Sequence, residues 1–217
     1  MAVNSEMQQV ISLSKQAGDI SLVKIGLGWN AAEKKQGSVD SSWGDEWDPE
    51  HYDLDMDVVA FLCGDEGKVL KPGHDAHGHM TLVGGDVVFF GNPHHESGAV
   101  WLSGDNLTGL GEDDDEEIVV DLSRLPQRFG KVVLVVQLYK GIEKNQAFGN
   151  ADGAFVRATD RRGTEIVHLE LSGSSSFGHC RSMLFAEIVR NGDDWNFNVL
   201  SQPFETDSFL ELLKQYL

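Results

Sequence analysis

Residues 53–62, DLDMDVVAFL, determine the fold that the sequence predicts. Polar and apolar residues alternate from Asp53 to Val58, and this period of two is typical of a β-strand. The aspartates at alternate positions therefore share one strand face, and the apolar residues between them share the other. Like charges on one face repel. A cation beside Asp53 and Asp55 is one interpretation and a solvated strand edge is the other, which we favour for Asp57.

Strand signals continue on both sides of this stretch. Residues 131–140, KVVLVVQLYK, are an apolar run, and the segments RRG (161–163) and NGDD (191–194) each separate two alternating runs as a hairpin turn would. Only the segment 206–217 shows helical spacing, with apolar residues at 209, 212, 213, 216 and 217. The sequence therefore predicts an all-β protein, a β-sandwich of two antiparallel sheets with a short C-terminal helix.

Length and composition fit one domain. The chain has 217 residues, and a hydrophobic fraction of 41% is enough for a substantial core. Residues 31–50 are polar and turn-rich, but strand signals flank them directly, so we interpret them as a long loop inserted in the domain. We therefore expect a single β-sandwich domain over residues 1–217, with the helix at 206–217 as its last element.

The charge of the chain limits its partners. The formal net charge is −18, so the basic surface that binds nucleic acid phosphates or anionic lipids is not expected. Residues 40–57 and 105–121 together hold 16 of the 35 acidic residues and no Lys or Arg. The excess of negative charge is therefore concentrated in these two segments. Cations and basic proteins are the natural partners of such a surface.

Residues 104–117, GDNLTGLGEDDDEE, contain six consecutive acids from Glu112 to Glu117. The glycines allow sharp turns that present carbonyl oxygens, and carboxylate, amide and hydroxyl oxygens lie among them. Calcium takes roughly 6–8 oxygen ligands of these kinds, whereas magnesium keeps its waters and prefers stricter geometry. The spacing is not that of an EF-hand. A solvated acidic run is the alternative, but this one leads directly into an apolar strand.

Five segments in order resemble the TerD family of tellurite-resistance and stress-response proteins. They span about residues 10–200 and are ISLSK with VKIGLGWN (11–15, 23–30), DLDMDVVAFL (53–62), GDNLTGLGEDDDEE (104–117), FGNADGAFVR (148–157) and MLFAEIVRNGDDWNF (183–197). The resemblance implies a calcium-binding β-sandwich in which the DLD strand and the acidic loop share the ions. Carried over to this chain, the implied ligands are Asp53, Asp55, Asp105, Asn106, Thr108, Glu112, Asp114, Asp115 and Glu116.

The chain departs from the family pattern inside the loop. Asp113 stands where the family has its second loop glycine, and Glu112 stands where it has an aspartate. Either change could alter affinity or displace an ion. The resemblance further implies a non-enzymatic role in a bacterial chemical-stress system. Its partners would be calcium ions and other proteins of that system, some at the inner membrane, with no nucleic acid and no membrane insertion.

The alternative function is a metal-handling protein that sequesters cations through its acidic and His-rich loops. Five histidines lie within residues 74–95, and imidazoles suit zinc or copper, although no named zinc motif is present and a loop of exposed histidines is the simpler interpretation. We expect no catalysis, because the sequence contains neither a GxSxG elbow nor a phosphate loop. The first residues have no secretory signal pattern, and the two cysteines form no disulfide framework, so we expect a cytoplasmic protein with Cys63 buried.

Overall fold

A computed structural model of the chain describes residues 9–12, 21–30, 54–103, 114–173 and 177–217. The strands of these residues form two sheets in which every pairing is antiparallel. The strands are β1 (Gln9–Ser12), β2 (Leu22–Asn30), β3 (Met56–Cys63), β4 (Val87–Val88), β5 (Val100–Leu102), β6 (Glu116–Asp121), β7 (Lys131–Leu138), β8 (Asp152–Asp160), β9 (Glu165–Glu170), β10 (Ser182–Asn191) and β11 (Asp194–Phe204).

One sheet has the strand order β1-β11-β10-β7-β3-β4 and the other has the order β5-β6-β2-β8-β9. Their inner faces pack into one apolar core. The predicted hairpins are present, since β8 pairs with β9 across the RRG turn and β10 pairs with β11 across the NGDD turn. The predicted fold class, a β-sandwich of two antiparallel sheets with a short C-terminal helix, is confirmed.

Residues 53–62 are central to the fold because the strand β3, most of which they contain, packs in an apolar cluster on each of its faces. Leu54, Met56 and Val58 are buried in the core between the sheets, as the alternation predicts. The opposite face of β3 is also buried, because Val59 and Phe61 pack in a second apolar cluster outside the six-stranded sheet. A strand that is covered on both faces is expected to be apolar at every position. The residues of β3 that follow Asp57 fit this expectation.

The helix α1 (Phe209–Leu213) covers that outer face, followed by a 3-10 turn at Lys214–Tyr216. The three apolar residues of α1 at positions 209, 212 and 213 are buried against the sheet. The helix is shorter than the predicted 206–217. Among the described residues, no helix is long and apolar enough to cross a membrane.

The expectation that Asp57 is solvated was wrong. Its side chain is 5% exposed, and its Oδ2 accepts a hydrogen bond from Gln137 Nε2 at 2.8 Å. Gln137 Oε1 in turn accepts the backbone N–H of Phe209 at 2.8 Å. The carboxylate is therefore part of the polar link that attaches α1 to the sheet. Local alternation could not show that a helix more than 140 residues later covers this strand face.

Candidate functional site at the acidic end of the sandwich

Carboxylates lie at one end of the sandwich, which we call the acidic end, where β3 and β6 begin and β2 ends. In the pairing of β2 with β6, Leu27 lies opposite Glu116. The backbone N–H of Val58 in β3 donates to Glu116 Oε2 at 3.2 Å. Because this bond joins one sheet to the other, the first residues of β3 and of β6 lie together.

Glu116 faces the interior of the sandwich and is 2% exposed. It shares the inner face of β6 with Ile118 and Val120, as the strand period requires. The short strand β4 pairs only with Ala60 and Phe61 of β3, so it does not reach Val58, and the Glu116 carboxylate accepts that amide instead. A carboxylate at this depth is costly to bury unless hydrogen-bond donors or a cation compensate its charge.

Asp115 is fixed by the backbone at the end of β2. Its N–H donates to the carbonyl of Leu27 at 2.7 Å, and its Oδ2 accepts the N–H of Trp29 at 2.9 Å. Its exposed fraction is only 9%. Main-chain amides of β2 and of β3 therefore hold the adjacent carboxylates of Asp115 and Glu116.

Asp114 lies over the outer face of the five-stranded sheet. Its Oδ1 forms an ion pair with Arg157 Nε at 2.9 Å, and both side chains are partly buried. Gly26 in β2 lies opposite Arg157 in β8, and a Cβ at position 26 would collide with the Asp114 carboxylate. The glycine therefore provides the space that this carboxylate occupies on the sheet.

Asp55 comes directly before β3 and is partly buried, and its carbonyl accepts the N–H of Tyr139 at 2.8 Å. The structure therefore brings Glu116 to the strand that follows Asp55, while Asp115 contacts the end of β2. The other predicted ligands, Asp53, Asp105, Asn106, Thr108 and Glu112, lie outside the described residues, as does the long loop 31–50.

A groove beside Asp114 was missed by the sequence reasoning. It lies on the outer face of the five-stranded sheet, has a volume of ≈ 550 Å³, and we call it the basic groove. The RRG segment predicted only a hairpin turn, and its nearness to Lys24 and Arg157 depends on the pairing of β2 with β8. The lining residues are Lys24, Ser103, Asp114, Asp115, Glu117, Arg157, Thr159, Arg161, Arg162 and Gly163.

Comparison with known proteins identifies the family. The model of the TerD domain matches residues 1–216. The chain belongs to the TerD domain family. It is 43% identical to the tellurium resistance protein TerX of Serratia marcescens over 217 residues, which is 100% of both chains. It is 31% identical to the tellurium resistance protein TerD of the same organism over 205 residues, covering 94% of this chain and 92% of the relative.

The fold agrees with a solved TerD homologue. The crystal structure of a homologue of telluride resistance protein (TerD) from Streptomyces coelicolor A3(2) superimposes with a TM-score of 0.64 at 17% identity. The match covers 91% of this chain and 98% of that one. At this level of identity the likeness concerns the fold alone.

The donors at the acidic end of this TerD domain fit calcium in their chemistry. The described candidates Asp55, Asp115 and Glu116 offer carboxylate oxygens, and oxygen is the ligand that a hard cation prefers. A carboxylate has two oxygens and about four lone-pair sites, so it can accept a backbone N–H and bind a cation at the same time. The described residues alone contain no group of three or more His, Cys, Asp or Glu side chains that could hold a metal ion.

The histidines of the TerD domain are mostly at the surface. His74, His77, His79 and His94 are exposed, and His79 Nδ1 lies 3.0 Å from Asp75 Oδ2. The backbone and side chain of His79 donate hydrogen bonds to Asp75, which lowers the pKa of that carboxyl. The histidine segment, residues 74–95, is wholly described and contributes no group of three or more side chains that could hold a metal ion.

His95 makes contacts that resemble a catalytic triad. Its Nε2 lies 3.0 Å from Asp86 Oδ1 and its Nδ1 lies 2.7 Å from Ser97 Oγ. The imidazole is completely buried, and Ser97 Oγ also accepts the N–H of Ala99 at 3.2 Å. Asp86 Oδ2 accepts the N–H of Lys71 at 2.7 Å. These bonds connect the loops of residues 71–99 to one another.

Proposed function

We propose that this chain is a non-enzymatic calcium-binding protein of a bacterial chemical-stress response, in which calcium orders the acidic loops for the binding of a partner protein. The observation that supports the proposal is the hydrogen bond between Glu116 and the amide of Val58. It joins the end of the acidic loop to the strand that follows Asp55, so one ion could reach both segments.

The proposed ligands are those that the resemblance to the family implies. From the described residues they are Asp55, Asp115 and Glu116, and Asp114 joins them when it exchanges Arg157 for the cation. The residues Asp53, Asp105, Asn106, Thr108 and Glu112 complete the proposed set. Bound calcium would supply the positive charge that stabilises the acidic row.

The biological setting is proposed from the relatives. Proteins called tellurium resistance protein TerX and TerD match the chain over most or all of its length, and a relative in Bacillus subtilis, 28% identical over 217 residues, is called stress response protein SCP2. We propose a role in the same kind of response, in the cytoplasm, with other proteins of the system as partners, some at the inner membrane. None of these names denotes an enzyme, which supports a binding role.

Thermal unfolding of metal-stripped protein, titrated separately with calcium, magnesium and zinc, tests the proposal. A ligand at 100 times its Kd stabilises the native state by about 2.7 kcal/mol, which corresponds to about 5–11 °C in Tm for a chain of this size. We expect a shift of this order with micromolar calcium and a much smaller one with magnesium. Asp115→Asn and Glu116→Gln should each reduce it.

The matched control is Asp193→Asn, which removes an exposed carboxylate in the β10–β11 turn at the opposite end of the sandwich. This variant should retain the full calcium shift. A wild-type protein that calcium does not stabilise would contradict the calcium site. A shift with zinc alone would instead support the metal-handling function.

A further inference from the structure

The basic groove concentrates positive charge on an acidic protein. Lys24, Arg157, Arg161 and Arg162 line it, in a chain with 17 Lys and Arg and a net charge of −18. Lys24 Nζ pairs with Glu117 Oε2 at 3.1 Å, and Arg157 pairs with Asp114. In contrast, neither Arg161 nor Arg162 forms an ion pair with any residue that the structure describes.

The turn that presents these two arginines is rigidly built. The buried carboxylate of Asp160 accepts the backbone N–H groups of Arg162 at 2.9 Å and of Thr164 at 2.8 Å. The N–H of Gly163 donates to the carbonyl of Asp160 at 2.9 Å, with φ at +80°. Arg161 Nη1 donates to Ser21 Oγ at 3.0 Å. Because the backbone of the turn is already ordered, binding of a ligand at the arginines would not carry the entropic cost of ordering it.

The size and charge of the groove indicate which class of ligand it can bind. Its volume of ≈ 550 Å³ is that of a small-molecule site. Guanidinium groups present paired N–H donors that match the oxygens of a phosphate. Farther along β2, beside Gly26, the groove is lined by Asp114, Asp115 and Glu117. Asp114 and Glu117 are paired with Arg157 and Lys24, but each carboxylate has further lone pairs that can accept hydrogen bonds from hydroxyl groups. The groove thus has an anion-binding end and a hydroxyl-binding end.

We propose that the basic groove is a binding site for a small phosphate ester that carries hydroxyl groups. The phosphate binds at Arg161 and Arg162, and the hydroxyls face the carboxylates of Asp114 and Glu117. A free inorganic phosphate would use only the first of these ends and would bind more weakly.

Isothermal titration of the full chain with glycerol 3-phosphate and with inorganic phosphate tests the proposal. Both titrations use about 0.15 M salt, where the Debye length of about 8 Å screens the net negative charge of the protein, with chloride as the ionic-strength control. A chelator keeps calcium out, so the result does not depend on the proposed calcium site. We expect glycerol 3-phosphate to bind severalfold more tightly than inorganic phosphate.

The double variant Arg161→Gln/Arg162→Gln should weaken binding of the ester by about tenfold or more, since charge-assisted hydrogen bonds are lost. Both side chains are exposed, and circular dichroism checks that the variant folds. The control is Arg128→Gln, an exposed arginine paired with Glu96 away from the groove, which should leave affinity unchanged. Binding no stronger than that of chloride, equal affinity for the two phosphates, or full affinity in the double variant would each overturn the proposal.

Discussion

The two sheets of this TerD domain use their outer faces in opposite ways. The outer face of the six-stranded sheet carries an apolar cluster, and α1 covers it with Phe209, Leu212 and Leu213. The outer face of the five-stranded sheet has no helix over it among the described residues. It holds the ion pairs of Lys24 and Arg157 and the basic groove.

The difference lies in the residues at the centre of each face. On the covered face, Phe61 and its apolar neighbours fill the space beneath the helix. On the open face, Gly26 and Gly28 leave space in β2, which the Asp114 carboxylate and the Phe155 ring occupy. One face therefore contributes apolar burial to stability, and the other provides a recess in which charged groups can meet a ligand.

The largest effect on stability is expected from Phe209→Ala, which removes apolar packing between α1 and the six-stranded sheet. Phe209 is 7% exposed, and its ring centroid lies 5.3 Å from that of Phe89 and 6.3 Å from that of Phe61. Removal of a buried phenyl ring should lower the free energy of unfolding by about 3–5 kcal/mol, as measured by urea denaturation. Leu210→Ala, at a position that is 45% exposed, is the control and should change it by under about 0.5 kcal/mol. Equal losses in the two variants would refute the covering role of α1.

A smaller effect on stability is expected from Arg157→Gln, which removes an ion pair from the outer face of the five-stranded sheet. The ion pair with Asp114 is partly exposed, with 34% of the Arg157 side chain accessible, so its loss should cost no more than about 1 kcal/mol. The same urea measurement, repeated at high salt, checks this, because screening should reduce the difference between variant and wild type. A loss as large as that of Phe209→Ala would mean that both faces contribute equally to stability.

The smallest effect at neutral pH concerns Cys63 on the covered face. Burial raises the pKa of its thiol from 9.0 to about 12, an effect that nearby Lys131 partly opposes. As the pH rises, the thiol ionises in the unfolded chain before it does so in the folded protein. The contribution of Cys63 to the free energy of unfolding should therefore be constant below pH 9 and should fall between pH 9 and 12. The slope is at most about 1.4 kcal/mol per pH unit, and Cys63→Ala should remove this contribution.

Urea denaturation from pH 7 to pH 10.5 measures this difference between wild type and variant. Alkylation of Cys63 in a Cys180→Ser background is a second measurement, and it should be slow in native protein and fast in urea. Rapid alkylation of the native thiol would show that α1 does not seal this face.

The sequence predicted those features that depend on local pattern. Alternation placed Leu54, Met56 and Val58 in the core, and turn chemistry located both hairpins. The resemblance implied that the DLD strand and the acidic loop meet, and a hydrogen bond joins Glu116 to Val58. Each of these inferences needed only neighbouring residues or the resemblance to a family.

Features that depend on distant pairing could not be predicted. The burial of Asp57 requires Gln137 and the start of α1, which are remote in sequence. The ion pair between Asp114 and Arg157 requires the register that sets Gly26 opposite Arg157. All nine predicted ligands, and calcium itself, stay predictions, and five of the nine lie outside the described residues.

The pairing of β1 with β11 has a consequence for synthesis on the ribosome. Gln9 lies opposite Val199, so the first described strand can join its sheet only after the last strand has been made. At about 5–20 residues per second, translation of the intervening chain takes on the order of ten seconds or more. The strand β10 is made near the end of that interval. Until β11 and α1 follow, β10 has neither β11 beside it nor α1 over Leu184, and its apolar edge is open to association with other nascent chains.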